Sequence, residues 1–62
     1  MVGSLISATV NHPDDYRYQA NIKGIVLKEF GGQCKVHVFE MNGNSANRTM
    51  RLHCAGFRVL SA

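Results

Sequence analysis

Apolar and polar residues alternate with a period of two along most of this chain, and no window of a dozen residues carries an apolar stripe at helical spacing. That pattern restricts the chain to strands with one face buried. The alternation is cleanest over 34–41, where Cys34, Val36 and Val38 interleave with Lys35, His37 and Phe39. It returns over 49–54, where Met50, Leu52 and Cys54 face one way and Thr49, Arg51 and His53 the other. Earlier, 5–10 reads as a short strand with Leu5 and Ile6 as core candidates. The stretch 21–30 reads as a second strand with Ile22, Gly24, Val26 and Phe30 on one side and Lys23, Ile25, Leu27 and Glu29 on the other. Apolar residues on both sides of that strand suggest a bend, which Gly24 permits, covered in part by a loop or another chain. A last short strand spans 58–60.

The punctuation between these segments is turn chemistry. Asn11-His-Pro-Asp-Asp15 opens a long first loop that continues through Tyr16 and Tyr18. Gly31-Gly32 closes a hairpin, and 42–47 reads as a loop beginning with the dipeptide Asn-Gly. Ala55-Gly56-Phe57 breaks the alternation once more. Five short strands leave wet faces and open edges unless they close, so the expected architecture is all-β, a five-stranded SH3-like barrel with a 3₁₀ turn before the last strand. The whole chain, 1–62, is one such domain. A domain of about 60 residues buries only about 60% of its unfolded surface, so self-association is an expected source of further stability.

Two families share parts of this pattern. Met50-Arg-Leu-His-Cys-Ala-Gly-Phe-Arg-Val-Leu60 resembles the end of plasmid-borne type II dihydrofolate reductases, SH3-like tetramers whose active pore is lined by Val-Gln-Ile-Tyr. Here Met50, Arg51, Leu52 and His53 stand at those positions. The Gln and Tyr are both replaced, so reductase activity is not expected. The segment His12-Pro-Asp-Asp-Tyr-Arg-Tyr18, followed by Gly24-Ile-Val26, is similar to the first loop and second strand of the SH3-like photosystem I subunit. Both resemblances imply a small barrel used in binding or assembly.

Charge narrows the partner. Lys and Arg total 7 against 4 Asp and Glu, and no acid follows Glu40 whereas Arg48, Arg51 and Arg58 do. That asymmetry favours an anionic ligand. With the second hairpin centred near residue 45, Val38 pairs with Leu52, Val36 with Cys54, His37 with His53 and Phe39 with Arg51. Lys35, His37, Phe39, Arg48, Arg51 and His53 then form a basic face with an aromatic ring in it, suited to DNA or RNA through phosphate contacts and base stacking. The same surface is also an ordinary mixed β-face, with Phe39 beneath Arg51. An alternative is a protein-binding or assembly module, in which Tyr16 and Tyr18 form an aromatic wall with Asp14 and Asp15 as its acidic rim. In the blander reading a Tyr caps the barrel end.

No enzyme is expected, and no catalytic residue, cofactor or metal site. Cys34 and Cys54 point inward and read as buried thiols rather than a disulfide, and the histidines lie on the other face without zinc-ligand spacing. The adjacent Asp14 and Asp15 diverge, Gly31-Gly32 precedes no helix, and no Gly-x-Ser-x-Gly frame exists. Residues 47–49 match a glycosylation sequon by chance. The start of the chain lacks the basic and apolar regions of a signal peptide, and the longest apolar run, 25–27, cannot span a membrane. The expectation is a cytoplasmic protein with no membrane partner. A homo-oligomer would bring His37 or His53 of several chains together at a symmetric pore.

Overall fold

A computed structural model describes residues 2–61. Its strands are β1 (Leu5–Asn11), β2 (Gln19–Phe30), β3 (Gln33–Met41), β4 (Asn44–His53) and β5 (Arg58–Ser61). They form one antiparallel sheet in the spatial order β4-β3-β2-β1-β5, with no helix among the described residues. The chain runs as a meander from β1 to β4, then returns to lay β5 along the free side of β1. The all-β class and the five strands agree with the sequence pattern. The sheet is not closed into a barrel, since β4 and β5 are its two edges. The turn before β5 is a single hydrogen bond, donated by the Gly56 amide to the His53 carbonyl at 2.8 Å, rather than a 3₁₀ segment.

Seven side chains form the core: Ile6, Ala20, Ile22, Val26, Cys34, Val36 and Val38, none more than 1% exposed. They all come from β1, β2 and β3. Without a second layer, one sheet can bury a face this completely only by coiling over itself. Val10, Met41, Met50, Leu52, Cys54 and Phe57 pack around the rim of this cluster. Met50, Leu52 and Cys54 therefore lie on the expected inner face, but only partly buried, because β4 is an edge. Ile6 is a core residue. Its neighbour Leu5 is opposite Ile25 on the outer face and half-buried, which corrects its assignment to the core.

The largest departure from the sequence reading is in β4. Asn42 and Gly43 both have positive φ, 50° and 82°, as a two-residue hairpin turn of the inverted type requires. The Asn42 amide donates to the Asn21 carbonyl at 2.7 Å, and Asn42 Oδ1 accepts from the Asn21 amide at 2.9 Å, tying this turn to β2. The stretch 44–47 is thus strand, not loop. The hairpin is centred between Asn42 and Gly43, and beyond a register shift between Val38 and Glu40 the cross-strand partners move by four positions. Lys35 pairs with Arg51, His37 with Thr49, Val36 with Met50 and Cys34 with Leu52. An even shift keeps Cys34, Lys35, Val36, His37, Met50, Arg51 and Leu52 on their expected faces and changes only their neighbours.

β2 and β3 slip register twice. The pairing steps from Lys23–Glu40 to Gly24–Val38, leaving Phe39 extra, and from Val26–Val36 to Lys28–Lys35, leaving Leu27 extra. Each is a β-bulge, which bends and twists its strand. The Leu27 bulge also reverses which side the following residues face. Glu29 joins Cys34 on the inner face, and Phe30 goes to the outer face opposite Gln33. This overturns the expected placement of both residues.

Gly24 sits between the two bulges. A Cβ there would lie 2.6 Å from the His37 carbonyl oxygen and 2.6 Å from Val36 Cγ1. The bend depends on this close approach of two backbones, so Gly24→Ala should destabilise the fold by about 1–3 kcal/mol through overpacking. An unchanged urea midpoint would contradict that packing.

Candidate functional site

The outer face of β2, β3 and β4 is built in rungs, because directly paired residues point the same way. One rung is Arg51, Lys35 and Lys28, side by side across three strands. The next is His53, Gln33 and Phe30; on the other side stand Thr49, His37 and Ile25. The Arg51 guanidinium carbon lies 5.0 Å from the centroid of the Phe30 ring, in cation–π geometry. Phe30 remains 37% exposed. No carboxylate among the described residues pairs with Lys28, Lys35 or Arg51. The ion pairs there are Lys23–Glu40 at 3.5 Å, Arg17–Asp15 at 2.9 Å and Arg48–Asp14 at 2.8 Å.

The expected basic face is therefore rearranged. Lys35 and Arg51 are brought together as direct neighbours. His53 flanks them one rung away, opposite Gln33 rather than His37. The two histidines are offset by four residues, roughly 13 Å along the strands. Phe39 lies in the bulge, unpaired and 38% exposed, and the ring beneath Arg51 is Phe30 instead. Arg48 leaves the patch altogether. It is opposite Val38 on the inner face, and its Nη2 donates to both Asp14 oxygens, at 3.1 and 2.8 Å. Sequence reasoning missed Lys28 and Phe30 as members of this face. Their signal was the unbroken run Ile25-Val26-Leu27, where alternation fails just before Lys28.

The first loop is held by its own hydrogen bonds. The His12 amide donates to the Tyr18 carbonyl at 2.8 Å, and the Tyr18 amide to the Asp15 carbonyl at 3.0 Å. Tyr16 and Tyr18 are 82% and 63% exposed, so neither is buried as a cap on the core. Asp14 and Asp15 do not form a free acidic rim, since Arg48 and Arg17 neutralise them. Between His12 and the tip of the β3–β4 hairpin lies a cleft of about 300 Å³. Its lining is mostly the polar Asn42, Asn44, Ser45 and Asn47, and its one cation, Arg48, is the partner of Asp14.

The inner face holds a second cluster that sequence spacing did not reveal. Both cysteines are free thiols, with Cys34 Sγ and Cys54 Sγ 3.1 Å apart. A Glu29 carboxylate oxygen lies within 4.8 Å of both sulfurs. Burial, followed by the hydrogen bond with Cys54, pushes the Cys34 thiol up to about 11.

Comparisons with known proteins find no matching family model, curated protein or solved structure. The geometry defines a small all-β domain that carries on one face a cationic rung, without a carboxylate partner among the described residues, and an adjacent aromatic ring.

In the loop, hydrogen bonds from the Arg17 side chain and then its amide hold the Asp15 carboxyl below its ordinary value. Arg17→Ala removes the larger of these, so the Asp15 side-chain NMR titration should move to higher pH. An unmoved midpoint would contradict the pairing.

Proposed function

We propose that this protein is a non-enzymatic binding module that meets nucleic acid through the outer face of β2, β3 and β4. The observation that carries the reading is the rung Arg51–Lys35–Lys28. Like charges directly opposite one another in a sheet are destabilising, by an amount comparable to the roughly 0.2–1 kcal/mol of favourable pairs. Here three stand abreast with no carboxylate partner among the described residues. A phosphate chain laid across the rung relieves that repulsion and releases its own counterions. Phe30, with Arg51 stacked on it, offers a π-surface beside the phosphate track, which suits an unpaired base better than a duplex. His53 and His37 flank the track and supply polar contacts. DNA and RNA both satisfy this chemistry.

The SH3-like reading belongs to the same proposal. It is supported by the order β4-β3-β2-β1-β5, in which a long first loop, two tight hairpins and a short last strand returning to β1 follow one another as in such barrels. The proposed site of action is the cytoplasm.

A second reading, assembly with a protein or with further copies of the chain, draws on the exposed Tyr16 and Tyr18 and on the two open sheet edges. At one of those edges, Val59 and Leu60 of β5 are 42% and 45% exposed. A strand added at either edge would pair open backbone groups.

A salt titration of binding to short single-stranded DNA and RNA oligonucleotides tests the leading reading. The plot of log K against log salt should be linear and falling. Lys28→Ala and Lys35→Ala should each lower the slope by about 0.7, one phosphate contact. Phe30→Ala should weaken binding by about 1–3 kcal/mol at any salt. Arg48→Ala should leave the slope unchanged. Undetectable binding at low salt would overturn the proposal, and a mass that rises with concentration would favour assembly.

A further inference from the structure

We propose that Cys34 and Cys54 form a redox-active dithiol that closes to an intramolecular disulfide, pinning β3 to the turn that follows β4. Cys34 lies directly opposite Leu52 in the β3–β4 ladder, and Cys54 follows two residues later on the same face. The Cys54 amide donates to the Gly32 carbonyl at 3.0 Å, so the hairpin holds the backbone on both sides of the pair. The sulfurs are 3.1 Å apart and need close by only about 1 Å to reach bonding distance. This inference stands apart from the nucleic-acid reading, and its test uses no ligand.

The two thiols differ in the way a sensing pair requires. Cys34 is fully buried and shielded from an oxidant in solution, whereas Cys54 is partly exposed and is the thiol an oxidant can reach. With hydrogen peroxide as oxidant, the Cys54 thiolate attacks one oxygen, the O–O bond breaks, and the departing hydroxide takes a proton to become water. Cys54 is left as a sulfenic acid. The Cys34 sulfur then attacks Cys54 Sγ, giving up its proton, and expels the sulfenic oxygen as a second water. Two thiols and one peroxide become one disulfide and two waters. Cys34 is placed to intercept the sulfenic acid before further oxidation.

The neighbouring Glu29 raises the competing possibility of a soft metal ion held by the same three groups. Two thiolates at about 2.3 Å from a tetrahedral zinc stand about 3.8 Å apart. The observed 3.1 Å is well inside that separation, and Glu29 is an exposed residue. The geometry favours bond formation between the sulfurs over a shared ion.

The test is intact-mass analysis of the full chain after hydrogen peroxide treatment, with alkylation of remaining thiols. The expected product is a monomer lighter by two hydrogens, with no alkylated cysteine, restored by a dithiol reductant. It should also melt at a higher temperature than the reduced form, since the bridge closes a loop across a separation of 20 residues. Cys54→Ala should leave Cys34 reduced under the same treatment. Cys34→Ala should carry oxidation on Cys54 to the sulfinic acid or to a disulfide-linked dimer. The wild-type mass decides the question even if a variant folds poorly. Two alkylatable cysteines after treatment, or added oxygens without loss of hydrogen, would overturn the proposal. So would a stoichiometric zinc complex that shields both thiols from peroxide and is weakened in Glu29→Gln.

Discussion

Everything in this fold depends on burying the middle of one face of a single sheet without a second layer to cover it. Seven core residues on three adjacent strands are sealed from water. A flat sheet leaves such a face wet, so the strands must bend. The bending is concentrated in β2 and β3, where Gly24 lets the His37 carbonyl approach and where Phe39 and Leu27 are inserted as bulges. The hydrophobic term pays for this local disruption of the ladder, since each fully buried aliphatic side chain contributes about 1.5–3 kcal/mol.

The bend also decides where the chemistry lies. Because Leu27 is extra, Lys28 stands beside Lys35, Phe30 comes under Arg51, and Glu29 turns toward the thiols. One inserted residue thus composes both the cationic outer face and the cysteine cluster within. The inner and outer sites sit back to back on the β3–β4 hairpin: Cys34 and Cys54 flank it on one side, Lys35 and Arg51 on the other. The acids sort in the same economy. Asp14, Asp15 and Glu40 each have a cation partner, whereas Glu29 on the inner face and the three cations in the middle of the outer face have no ion-pair partner among the described residues.

Much of the fold was legible in the sequence because period-two alternation is a direct image of a half-buried strand. Cys34, Val36, Val38, Met50, Leu52 and Cys54 all share the inner face that their spacing assigns them. The register of the second hairpin was less legible. The Asn-Gly pair was visible, but 44–47 is polar and reads equally as loop, and only the hydrogen bonds between Asn21 and Asn42 show that the turn is already complete at Gly43. The bulges were least legible. A bulge adds one residue without changing composition, and its trace in β2 was the apolar run 25–27, which reads just as well as a strand covered on both faces. The basic patch was therefore found on the right face with the wrong neighbours: Lys35 and Arg51 remain, Phe30 and Lys28 replace Phe39 and Arg48. Side-chain pairings such as Arg48 with Asp14 join residues 34 positions apart, and no local pattern encodes them.

The most direct test is the register itself, since the cationic rung exists only if the Leu27 bulge and the Asn42–Gly43 turn are where the structure has them. Cross-strand proton contacts measured by NMR on the labelled protein would read it without reference to any ligand. The account predicts backbone contacts linking Lys35 to both Arg51 and Lys28, and Gln33 to His53. Contacts pairing His37 with His53, or Phe39 with Arg51, would place the hairpin four positions away and remove the rung on which the functional reading rests.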